Sequence, residues 1–177
     1  MHLGLLVLRL VVGLLFVGHG AQKLFGWFGG HGLTGTAGFF ETIGLKPGRA
    51  HAMAAAVLEF GGGLLLALGL LTPVAGAALI ATMTAAVITV HWSKGLWNTA
   101  GGYEFNLTLA AAAFTLAAVG AGSWSLDHAL SLNVHGVLWA IGALVIGILG
   151  GAGAVVSGRA FGRDRHESLG RQQPSEA

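Results

Sequence analysis

The chain contains no cysteine, so it forms no disulfide, no thiolate metal site and no thiol relay of its own. Any redox chemistry must use a cofactor, a quinone or a partner's thiols. Charge is also scarce: 9% of the 177 residues are Asp, Glu, Lys or Arg, against about 25% in soluble domains. With 54% hydrophobic residues and a mean hydropathy of +0.76, an ordinary soluble domain is excluded. Other signals are missing as well. No strand precedes Gly151-x-Gly153, so it is no dinucleotide fingerprint, and no His or Glu spacing supports a metal or haem site. No inverted repeat is visible, which gives a transporter little support. The first apolar run lacks a basic leader and a convincing small-x-small cleavage site, and it reads as a retained span rather than a signal peptide.

What is present is five apolar blocks: Leu3–Ala21, His51–Leu71, Val74–Val90, Phe105–Ala121 and His135–Val156. Each approaches the ~20 residues a helix needs to cross a bilayer, and only helices satisfy their own backbone groups in lipid without closing a barrel. The expected fold is all-α, a polytopic transmembrane bundle with a four-helix core over 1–130, an additional span within 131–156 and a basic tail over 157–177. That tail reads as disordered from its charge and its Gly, Gln, Pro and Ser content. Loop 1, Lys23–Ala50, holds an aromatic and Gly-rich bend from Phe25. A short interfacial helix is expected within Thr36–Leu45, ended by Gly44 and Pro47. Pro73 marks a tight turn between spans two and three.

Basic residues sort by side: Lys23, Lys46 and Arg49 in loop 1, Lys94 in loop 3, and the arginines of the tail. With five spans all of them fall on one face. The positive-inside rule then predicts a multi-pass plasma-membrane protein with its N-terminus out and C-terminus in. The pI of about 9.5 reports this topology, and lipid rather than nucleic acid is the expected surround. Oligomeric state is not legible.

Two charges interrupt the spans. Arg9 lies inside the first and Glu59 inside the second. An ionisable group at bilayer depth is costly unless paired or hydrated, which makes it a functional-site hypothesis. At 1.5 Å per residue Glu59 lies about 12–14 Å into its helix and Arg9 roughly 20 Å from the same face. Arginine's reach lets the two meet. Arg9, Gly13, Phe16, Gly20 and Lys23 share one face of span one, and small residues surround Glu59. His19, Gln22, His91, Glu104 and Asn106 ring the inner mouth of an expected polar cavity open to that side. Two readings stand side by side: a structural ion pair that fixes helix register, and a working site. His19 and His91 read equally well as interfacial residues at helix ends. Asp127 and His128 are expected to cap an outer segment after Ser125.

Residues Leu8–Gly26, with Arg9, His19, Gln22 and Lys23, resemble the opening of DoxX-family membrane proteins. Leu58–Thr72 with Glu59 is similar to that family's second helix. His91-Trp92 and Tyr103–Asn106 are similar to its third and fourth, and Ser123–Asp127 to its end. The likeness spans about residues 3–130, whereas the fifth span and basic tail depart from the family's four helices. It implies a relation to a subunit of a thiosulfate:quinone oxidoreductase and to oxidative-stress and thiol homeostasis. On this basis the expected function is an inner-membrane redox subunit, with a quinone as the cofactor suggested. Arg9, Glu59, His19 and His91 are the candidate catalytic residues, and Gln22, Lys23, Glu104 and Asn106 the candidate substrate-binding ones. The alternative is a non-catalytic scaffold that docks a soluble redox enzyme.

Overall fold

The computed structural model describes residues 2–170, with side chains through Gly162. Seven α-helices account for most of them: α1 His2–Phe25, α2 Gly32–Thr42, α3 Gly48–Leu68, α4 Thr72–Ala86, α5 Glu104–Val119, α6 Leu126–Ala129 and α7 Val137–Gly170. α1, α3, α4 (with its continuation to Lys94) and α7 are long and apolar enough to cross a membrane. α5 is apolar but has 16 residues, which at 1.5 Å each gives about 24 Å. The five run up and down in sequence. We call the end where α1 begins the near end and the end where it finishes the far end.

Local sequence sets the boundaries. α3 stops at Gly69, which adopts the left-handed conformation (φ 63°) that helix C-caps favour. α4 starts with Pro73 in its first turn, where a missing N–H costs nothing. At its other end α4 widens into a π-helical turn, Val87–His91, and then tightens into a 3-10 turn, Trp92–Lys94. Such departures from α-helix often accompany functional sites. The short helix expected in loop 1 forms as α2, a few residues earlier than its sequence places it.

α1 packs along α3 by mutual glycine contact. A Cβ on Gly13 would stand 2.6 Å from the Gly63 carbonyl oxygen, and one on Gly63 2.6 Å from that of Gly13. α7 approaches α4 in the same way, with Gly147 against Ile80. Between the helices lies a core of Val12, Phe16, Leu66, Leu79, Ile80, Leu109 and Leu116, all buried. Outward faces carry Leu3, Val7, Leu14, Leu138, Ile146 and Leu149 in the open. That inversion of a soluble surface suits lipid, which offers these groups no penalty.

One expectation changes in extent. α7 runs past Val156 to Gly170, so residues 157–170 are helical where composition alone reads a disordered tail. Residues 171–177 lie outside the described residues.

Candidate functional site

The buried charges form two separate constellations. At the near end Arg9 is 1% exposed. Its Nη2 donates to the Trp124 carbonyl at 2.6 Å, and Asp127 is the opposite charge acting on it. Its Nε and Nη1 are buried without hydrogen-bond partners. The guanidinium lies directly over Gly69, in the space any Cβ there would need. Asp127 has a second task. Its carboxylate accepts from the Leu71 N–H at 2.7 Å, the Thr72 N–H at 3.1 Å and the Thr72 hydroxyl at 2.6 Å. It thereby caps α4 from across the bundle, an anion at a helix N-terminus. These bonds offset the left-handed backbone of Leu71 (φ 48°), a conformation costing about 1–2 kcal/mol. The expected cap by Asp127 and His128 does not form: Ser125 caps α6, accepting from the His128 N–H, and Asp127 caps α4 instead.

At the far end Lys23 and Glu59 form the ion pair. The expected meeting of Arg9 and Glu59 does not occur, for a reason of register. Arg9 stands level with Gly69, ten residues and so about 15 Å along α3 from Glu59. Lys23 lies one turn beyond Gly20, which packs on Phe60, and so reaches Glu59 directly. The Glu59 side chain is 7% exposed and that of Lys23 23%. Removing one member of such a pair leaves an uncompensated charge in a poorly solvated place.

This pair borders a cavity of about 360 Å³, large enough for a small organic ligand. Alanines of α3 and α4 make much of its wall, with Phe39 and Phe40 of α2 and Gly150, Gly151 and Ala154 of α7. The polar lining is Lys23, Glu59, His51, Thr82, Thr89 and His91. The His91 Nδ1 lies 2.7 Å from the Gly101 carbonyl, which only accepts. Nδ1 therefore carries the hydrogen, and in the neutral ring Nε2 is an acceptor.

Of the eight candidate residues, the cavity gathers Lys23, Glu59 and His91. The others lie elsewhere. Arg9 belongs to the near end, and His19 is half-buried on α1 outside the lining. Gln22 donates to the Phe28 carbonyl at 3.1 Å and holds the bend of loop 1. Glu104 is exposed and accepts from the Asn98 N–H at 2.9 Å. Asn106 is buried against the Met83 sulfur at 3.4 Å. A single polar cavity joining all eight is thus replaced by a smaller, mostly apolar one. His51 was missed, although its spacing held the signal: His51, Ala55 and Glu59 fall at successive intervals of four, on one helix face.

Fold and site together define an integral membrane helical bundle with a buried ion pair beside an apolar cavity. The DoxX family model matches residues 4–92. The chain is 34% identical over 126 residues to "Putative oxidoreductase CatD" of Bacillus subtilis, covering 71% of this chain and 86% of that protein. It is 32% identical over 134 residues to "Uncharacterized membrane protein Rv3486" of Mycobacterium tuberculosis, covering 70% and 79% respectively. No solved structure matches. The chain belongs to the DoxX family.

Proposed function

We propose that this protein is the membrane subunit of a redox system and that its cavity binds a quinone. One observation carries the reading: the Lys23–Glu59 pair and His91 share an otherwise apolar cavity of about 360 Å³. A quinone head needs polar partners for its oxygens and an apolar surround for its ring. Its reduction also takes up two protons with two electrons, so the site needs groups that pass protons. Lys23 offers a donor to a carbonyl oxygen, and Glu59 and His91 Nε2 serve as proton carriers. Electrons come from a sulfur compound or a partner, because the chain has no thiol. Arg9 takes no part in this chemistry and acts on structure. The name of the Bacillus relative, which includes "oxidoreductase", points the same way. The basic far end lies on the cytoplasmic side of the plasma membrane in this reading, following the positive-inside rule.

The test is binding. The purified protein should bind menaquinone or ubiquinone analogues saturably, and lipid extracts of it should contain quinone. Absence of both, with an unchanged cellular quinone redox state in a Glu59→Gln strain, would overturn the proposal. A docking scaffold has one observation of its own, the run of α7 to Gly170 beyond the length a bilayer requires. Removing residues 163–177 should then release a soluble redox enzyme and leave quinone binding intact.

A further inference from the structure

α4 and the π-helical turn that continues it are the floor of the cavity, lining it with Ala81, Thr82, Ala85 and Ala86 and with Thr89 and Val90. α4 packs against α3 on one side and α7 on the other, whereas α3 and α7 scarcely meet. The groove between them is bridged at its far end. There the Lys46 N–H donates to the Gly158 carbonyl at 3.1 Å, and Gly158 lies so close to the His51 ring that a Cβ would stand 2.9 Å from Nε2. α2 covers the same end with Phe39 and Phe40.

The side of the groove is different. Ala54 and Leu58 on α3 and Gly150 and Ala154 on α7 line the cavity and are exposed. All four are apolar or small, and all lie within the segments long and apolar enough to span a membrane. At Gly150 there is room to spare, since a Cβ would meet only the Ala81 Cβ at 3.8 Å. A ligand from the far end meets α2 and the Lys46–Gly158 bridge, while one from the lipid side meets only small and apolar side chains.

We propose that the groove between α3 and α7 is a lateral portal admitting a neutral ligand with a long hydrocarbon tail from the lipid phase. The head reaches Lys23, Glu59 and His91, and the tail lies across Ala54, Leu58, Gly150 and Ala154. This rests on the quinone reading of the cavity and adds the route and the tail. The ion pair is internally neutral, so the cavity offers no net charge to favour an anion. One lip of the portal is α7, which lies beyond the residues that the family model matches. The other lip, with Ala54 and Leu58 on α3, lies within the matched residues.

The lack of cysteine makes single-cysteine chemistry clean. Ala154→Cys and Gly153→Cys are each prepared in lipid nanodiscs. Gly153 is the control, exposed and outside the lining, where a Cβ meets nothing within 4 Å. Each is labelled with an apolar benzyl methanethiosulfonate or a charged trimethylammonium one. Binding is read with menaquinone-4 and with menadione, the same head without a tail. Benzyl labelling at position 154 should weaken menaquinone-4 binding at least about tenfold and menadione binding less than about threefold. A reductant should reverse the loss, and labelling at 153 should change neither. The apolar reagent should also outpace the charged one at 154 by about tenfold or more after correction for their rates with a free thiol. Unchanged menaquinone-4 affinity after labelling at 154, or equal corrected rates for the two reagents, would overturn the portal. If the unlabelled protein binds neither quinone, the quinone reading fails, and the reagent rates alone still decide for or against a lipid-facing portal.

Discussion

Each end of the bundle holds a buried basic side chain and a buried carboxylate, but only the far end joins the two directly, as Lys23–Glu59. At the near end Arg9 and Asp127 are consumed by the chain itself. Arg9 binds the Trp124 carbonyl and lies on Gly69, and Asp127 caps α4. At the far end Lys23 and Glu59 bind each other and leave their remaining hydrogen-bonding capacity beside a cavity. A charge at bilayer depth therefore does not by itself mark a working site. What separates a clasp from a site is whether open space lies against it.

The largest effect should come from breaking the clasp. Asp127→Ala removes Arg9's counter-charge and the cap of α4 together. We expect a loss of about 3–5 kcal/mol, measured by denaturant or steric-trap unfolding in bicelles. Asp127→Asn keeps one of the two acceptor oxygens at the cap and should lose less. Near-wild-type stability in Asp127→Ala would dissolve the contrast between the ends.

At the far end Lys23→Met alone should cost less, about 1–3 kcal/mol, because the Lys23 side chain is partly solvated. Adding Glu59→Leu should bring stability back to within about 1 kcal/mol of wild type, since an apolar pair can replace a buried ionic one. No such rescue is expected for an apolar replacement of Arg9 and Asp127, because α4 would still lack its cap.

His91→Phe sharpens the functional side. It removes one hydrogen bond, to Gly101, worth about 1 kcal/mol, yet quinone affinity should fall about tenfold. Equal loss of binding and folding would make His91 a structural residue. The smallest effect is expected for Glu104→Gln, which alters an exposed contact to Asn98. Stability should stay within about 0.5 kcal/mol and binding should not change, in keeping with its place outside the cavity.

Much of the fold was legible in the sequence because lipid enforces it. Apolar runs and the need for internal backbone bonds fix the helices to within a few residues, and Pro73 and Gly69 mark the turn between α3 and α4. The last helix overran its expected end, since charge and polarity argue against a packed core without forbidding a helix. The site was harder. Arg9 and Glu59 are the conspicuous charges, and counting from the inner ends of their helices puts them within reach of each other. The count assumes that α1 and α3 share a common boundary. In fact Gly20 packs on Phe60, so α3 starts about two turns beyond the level at which α1 finishes. That stagger comes from glycine packing between helices, which periodicity within one helix does not reveal. Lys23, a candidate for substrate binding on the sequence, is the residue that this stagger brings to Glu59. The family likeness had placed Asp127 in the same stretch as Trp124, and the fold shows why both belong with Arg9.

Under the proposed quinone reading, the Lys23–Glu59 pair serves binding rather than stability. The most direct measurement is the menaquinone-4 affinity of the Lys23→Met/Glu59→Leu double variant, set beside its unfolding free energy under the same conditions. Stability should stay within about 1 kcal/mol of wild type while affinity falls at least about tenfold. A double variant that is equally stable and binds menaquinone-4 as tightly as wild type would contradict that reading.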